Sequence, residues 1–111
     1  MMGDIKLKIR HAKRGNERQL DLSGLGISEL PSDLLQLTML EVLIVSNNKL
    51  TNLRKIESLP NLRVVDASNN NITSLHQEIL DSMYSLDTIY LFGNPLVNQN
   101  PSLAKIEGNQ V

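Results

Sequence analysis

Cysteine and tryptophan are absent from the chain, and aromatic residues of any kind are scarce: two tyrosines and one phenylalanine in 111 residues. Without thiols there are no disulfides and no thiolate metal sites, which a small secreted scaffold ordinarily needs to hold itself together. Without aromatics the core has to be aliphatic, and leucine is the abundant residue available to build it. A large charge of one sign is also missing. A net charge of −1 offers little for neutralising phosphates, which argues against a nucleic-acid binder. The longest uninterrupted apolar run, Val42 to Val45, is far short of the roughly 20 residues that span a bilayer. The N-terminus alternates charged with apolar residues and lacks a signal-peptide core. These absences lead us to expect a cytoplasmic protein without membrane association, and the length fits one domain, residues 1–111.

Signatures of chemistry are missing as well. His11 and His76 have no second nitrogen or carboxylate at metal-ligand spacing and read as surface residues. No glycine-rich phosphate loop, nucleophile elbow or zinc signature occurs. Asn71-Ile72-Thr73 has the form of a glycosylation sequon, but no secretory route accompanies it. We therefore expect no enzyme, no cofactor and no metal. The charge that is present is uneven: Lys6, Lys8, Arg10, Lys13, Arg14 and Arg18 against Asp4 and Glu17 give the first 20 residues +4, leaving −5 for the rest. A solvated face on a terminal cap accounts for this more simply than nucleic acid does, since no aromatic interleaves with these cations.

What the chain does have is a repeat. Four segments align in one register: Leu20–Ile27 (LDLSGLGI), Leu40–Leu50 (LEVLIVSNNKL), Leu62–Ile72 (LRVVDASNNNI) and Leu86–Leu96 (LDTIYLFGNPL). With Leu20, Leu43, Val65 and Ile89 as equivalents, the spacings are 23, 22 and 24 residues. A period of this length means stacked supersecondary units, none of which can bury its apolar face alone. In each L-x-L centre, alternate side chains leave an extended chain on opposite sides, so one aliphatic set faces inward and the residue between faces out. Asn48, Asn70 and Asn94 follow the strands, where the chain turns and leaves backbone groups without ladder partners; an amide can both donate and accept there.

The pattern L-x-x-L-x-L-x-x-N-x-L resembles the leucine-rich-repeat family over residues 17–96, with a second return segment (Leu53, Ile56, Leu59, Pro60) similar to the twenty-two-residue intracellular subclass. The resemblance implies an α/β right-handed solenoid, with a short parallel sheet on its concave face and short helices or 3₁₀ turns on its convex face. It also implies a buried ladder formed by Asn48, Asn70 and Asn94. Leu25 takes the asparagine position of the first repeat, which predicts weaker turn bonding there.

The return segments differ in their residues. Leu34, Leu35 and Leu37 predict a helical turn capped by Ser32 or Asp33; the three-residue spacing of the second return predicts a 3₁₀ back; Leu75, Ile79, Leu80 and Met83 predict a longer helix. Residues 1–16 form the expected N-terminal cap. Ile5, Leu7 and Ile9 alternate as in a strand, whereas Ile5, Ile9 and Ala12 share a helical face; we favour the helix, started by Asp4 and ended by Gly15. Residues 97–111 contribute only Val97, Leu103, Ala104, Ile106 and Val111, which leaves open a minimal cap, a partly disordered tail, or an exposed edge that meets a second copy.

Inward rows carry stability in such a solenoid, so binding has to come from outward positions. Those are Asp21, Ile44, Asp66 and Tyr90 between the core residues, with Val42 and Val64 just before the first core residue and Phe92 after the second. Glu41, Arg63, Asp66 and Asp87 form a polar surround. An apolar outward patch flanked by charge marks a protein interface, although β-branched residues also favour strands wherever they point. The expected function is protein–protein interaction through Glu41, Val42, Ile44, Arg63, Val64, Asp66, Asp87, Tyr90 and Phe92, as an adaptor or regulatory subunit that is itself monomeric. The alternative is self-assembly through an incompletely capped C-terminal edge.

Overall fold

The structure, a computed structural model, describes residues 2–108; Val111, counted above among the apolar residues of the tail, lies outside them. A helix, α1 (Met2–Arg14), leads into four short strands, β1 (Gln19–Asp21), β2 (Val42–Ile44), β3 (Val64–Asp66) and β4 (Thr88–Tyr90), which pair in parallel in sequence order. The register aligns Leu20, Leu43, Val65 and Ile89, the residues taken as equivalent from the spacing. Between strands the chain returns through 3₁₀ segments at Ser32–Gln36 and Ile56–Ser58 and then through the short helix α2 (Gln77–Asp81). Strands stack at about 4.8 Å while backs with bulkier turns need more room, so the sheet lies on the inner side of the bend.

Each coil sends the same set of spokes into the core. Leu22, Val45, Ala67 and Leu91 lie beside the first inward row, Ile27, Leu50, Ile72 and Leu96 follow the turn, and Leu40, Leu62 and Leu86 precede the next strand; all are buried. Burial of each such side chain is worth about 1.5–3 kcal/mol, against at most about 1 kcal/mol for an exposed ion pair. The aliphatic stack therefore dominates stability.

The turn after each strand is built from two adjacent columns. Gly24, Asn47, Asn69 and Gly93 all adopt positive φ (68°, 56°, 58° and 77°), the left-handed geometry that glycine and asparagine tolerate. In the second, third and fourth coils the next residue is the ladder asparagine. The Asn70 amide donates to the Val45 and Ala67 carbonyls, both at 3.0 Å, and its carbonyl accepts from Leu50 N–H at 3.0 Å; Asn94 repeats the arrangement one coil later with Ala67, Leu91 and Ile72. In the first coil the outcome differs from the expectation of weak bonding. The Asn48 carbonyl accepts from both Leu25 and Ile27 N–H (2.9 and 3.0 Å), and its amide reaches back to the Leu22 carbonyl, so the second coil closes the first coil's turn.

Helix α1 settles the strand-or-helix ambiguity by burying Ile5, Ile9 and Ala12 against β1 and the first return segment. Two details of its ends need correction. The helix reaches back to Met2, so Asp4 sits inside its first turn and not at its start. Asn16, at φ 50°, is the left-handed residue at the other end, with Glu17 N–H bonded to Ala12 O and Asn16 N–H to Lys13 O; Gly15 comes one residue earlier. The first return segment is likewise preceded by Pro31, with no side-chain cap from Ser32 or Asp33, because proline already sets the backbone for a following turn.

The C-terminal region holds more structure than a weak tail. Helix α3 (Pro95–Gln99) and a 3₁₀ turn (Pro101–Ala104) reverse the chain into β5 (Lys105–Glu107), which pairs antiparallel with β4 and makes the sheet mixed. Ile106 aligns with Ile89 and packs against the core together with Leu103 and Val97. The last parallel strand thus has a partner on both sides.

Candidate protein-binding face

Strand alternation places two outward rows on the sheet: Gln19, Val42, Val64, Thr88 and Glu107 in one, and Asp21, Ile44, Asp66, Tyr90 and Lys105 in the other. The central test of the register is met, because Leu43 and Leu91 are fully buried while Ile44 and Tyr90 are half-exposed on the opposite face. Val42, Ile44 and Val64 adjoin one another across β2 and β3 and form an aliphatic lobe outside the core. The Tyr90 and Phe92 rings stack with centroids 6.4 Å apart, forming an aromatic lobe in which Phe92 is 51% exposed. Asp66 and Thr88 lie between the lobes, so the apolar surface is divided in two and is not one continuous patch.

The polar surround is a ladder of alternating sign. Arg18 pairs with Glu41 at 3.3 Å, Arg63 reaches Glu41 at 4.0 Å, and the Arg63 Nε–H donates to Asp87 at 3.0 Å. Glu41, Arg63 and Asp87 therefore neutralise one another along the N-terminal side of the strands. The aspartates of the outward row behave differently. Asp21 Oδ1 accepts from Ser23 N–H at 2.9 Å and Asp66 Oδ1 from Ser68 N–H at 3.0 Å. Among the described residues neither carboxylate has a cation within 4.0 Å.

Hydrogen bonds from the Ser23 hydroxyl and N–H hold the Asp21 carboxyl below its ordinary range, with help from the charge of Lys8 and against a small desolvation cost. A depressed folded-state pKa stabilises the protein above the ordinary aspartate range, and the contribution is lost as the pH falls through the folded value. Asp21→Asn should accordingly flatten the fall in melting temperature as the pH drops below about 4; parallel melting curves for variant and wild type would contradict this.

Sequence reasoning missed the far end of the face. Lys105 Nζ lies 5.7 Å from the centre of the Tyr90 ring and 3.3 Å from Glu107. The alternation Lys105-Ile106-Glu107 was the available signal, but three residues are too few for a period-two pattern to stand out. Among the described residues no cluster of three or more His, Asp or Glu is placed to hold a metal ion, and no helix is long and apolar enough to cross a membrane.

A parallel-stranded solenoid with buried leucine spokes and an asparagine ladder defines the class of protein. The family model for leucine-rich repeats, in two copies, matches residues 38–80, which cover the central coils. The crystal structure of human 5T4 (Wnt-activated inhibitory factor 1, trophoblast glycoprotein) is similar, with a TM-score of 0.62 and 28% identity over 73% of this chain and 32% of that one. The chain thus spans about a third of that structure's length. No curated protein matches it. The chain thus carries leucine-rich repeats in its central coils and has the fold of a leucine-rich-repeat solenoid. Domains of this family generally mediate protein–protein interaction and are typically non-enzymatic.

Proposed function

We propose that this chain binds a partner protein on the inner face of its sheet, as a cytoplasmic adaptor or regulatory subunit. The observation that carries the reading is the placement of Val42, Ile44, Val64, Tyr90 and Phe92 outside a core that is already complete without them. Side chains of this kind gain little from folding when they stay half in water, and they gain much when a partner covers them. Tyrosine is a common anchor of such interfaces. The reading includes a monomeric state: β5 occupies the edge of β4, and its exposed side chains, Lys105 and Glu107, discourage a further strand from pairing.

The test is the double substitution Ile44→Asp with Tyr90→Asp, used as bait in affinity capture from native cell extract. Both side chains point away from the core, so the circular dichroism spectrum and melting temperature are expected to stay near wild type. Loss of two central anchors at about 2 kcal/mol each weakens binding roughly a thousandfold, which abolishes capture. Undiminished capture by the folded variant would refute the reading.

A further inference from the structure

The row Asp21, Ile44, Asp66, Tyr90, Lys105 crosses all five strands at one side chain per strand, in the order acid, aliphatic, acid, aromatic, base. Resting on the inner-face reading above, we propose that the occupant of this face is an amphipathic helix laid across the strands. It carries basic residues at i and i+7, an aliphatic residue at i+3 or i+4, and an apolar residue at i+10 or i+11.

The spacing selects a helix. Neighbouring strands are about 4.8 Å apart, and three and a half helical residues rise about 5.2 Å. One face of a helix therefore meets successive strands in step, drifting by only about 20° per seven residues. An extended segment presents same-side residues about 6.8 Å apart and falls out of step after two strands.

The charges select the sequence. The ladder of Arg18, Glu41, Arg63 and Asp87 is internally paired and has little left for a partner. Asp21 and Asp66 are held in place by the backbone N–H groups of Ser23 and Ser68, with the Ser23 hydroxyl adding a second bond at Asp21, and they stand about 10 Å apart across two strand steps on either side of Ile44. Carboxylates fixed in this way lose little freedom when they accept a lysine or arginine. At the other end Lys105 lies over the Tyr90 ring but is already paired with Glu107 at 3.3 Å, so like the ladder it selects no charge in the partner.

The test is selection of a displayed library of helical peptides against the full chain, with Asp21→Asn/Asp66→Asn and Ile44→Asp/Tyr90→Asp variants as comparison baits. Asparagine keeps the oxygen that accepts from Ser23 and Ser68, so the first variant retains its turns. The expected result is enrichment of Lys or Arg seven residues apart around Leu, Ile or Val, with affinity for the Asp21→Asn/Asp66→Asn variant at least roughly tenfold lower. Peptides that bind the Ile44→Asp/Tyr90→Asp variant as tightly as wild type would defeat the inner-face reading itself. Peptides sensitive to that variant but lacking the paired bases, indifferent to Asp21→Asn/Asp66→Asn, or spaced as extended chain would defeat the helix proposal alone. A library without any binder counts against both, because the geometry asks for only four fixed positions.

Discussion

Asn48→Ala is expected to destabilise the protein by about 4 kcal/mol, and Asn70→Ala by about 3 kcal/mol. The order follows from what each truncation leaves behind. Without Asn70, the buried Leu50 N–H loses its acceptor, but the Val45 and Ala67 carbonyls keep donors in the Asn48 and Asn94 amides. Without Asn48, two N–H groups are stranded, Leu25 and Ile27, and the Leu22 carbonyl loses its amide donor. A stranded buried donor costs about 1–3 kcal/mol, and each lost bond whose partner is re-satisfied costs nearer 1 kcal/mol. A loss of about 4 kcal/mol is a large share of the 5–15 kcal/mol typical of a domain, so the Asn48 variant should unfold at a clearly lower urea concentration than wild type. Urea denaturation followed by circular dichroism measures both. An Asn48 variant within about 1 kcal/mol of wild type, or one more stable than the Asn70 variant, would show that the turns are not held this way.

The asymmetry between these two positions also shows where sequence reasoning stops. The asparagine column and the register were legible because the period fixes them: once Leu20, Leu43, Val65 and Ile89 are aligned, the inward and outward sets follow from strand alternation alone. What Leu25 does in the first coil was not legible. A ladder residue bonds backwards to the preceding coil as well as within its own, so the missing asparagine is replaced by Asn48 from the next coil, a fact of stacking that no single repeat displays. The column of Gly24, Asn47, Asn69 and Gly93 was present at the same spacing but reads as ordinary turn composition until the shared positive φ is seen.

The inner face was legible in its membership and not in its electrostatics. Glu41, Arg63 and Asp87 were placed correctly beside the strands, yet their alternation along the column, which makes them partners of one another and of Arg18, emerges only when the column is followed from coil to coil. Asp66 lies in the row of Ile44 and Tyr90, as its place between two core residues predicts; that it divides the aliphatic lobe from the aromatic one follows only from the pairing of β2, β3 and β4. The local rule was the same for all four residues; the difference is a matter of which neighbours stacking supplies.

The fifth strand escaped for a related reason, and it supports the other large expected effect: Ile106→Asp should release β5, lower stability by about 3 kcal/mol and turn the chain, monomeric in the reading proposed above, into a concentration-dependent oligomer. Ile106 lies beside Ile89 and against the core, so an aspartate there gives up an aliphatic contact and brings a carboxylate to an apolar boundary. With β5 detached, Leu91 N–H loses the Ala104 carbonyl and the Asp87 carbonyl loses Gly108 N–H, bonds of 2.7 Å each. The edge of β4 then offers a row of unpaired groups beside the exposed rings of Tyr90 and Phe92, which is a template for a second chain. Lys105→Ala is the control, since it removes a solvent-facing side chain and leaves the β5 backbone and Ile106 in place. Light scattering over a concentration series should show the Ile106 variant growing in mass while wild type and the Lys105 variant stay monomeric. A monodisperse Ile106 variant of unchanged stability would mean that β5 contributes nothing to closing the sheet, and the resistance to self-pairing would then have to come from the twist and shortness of β4 itself.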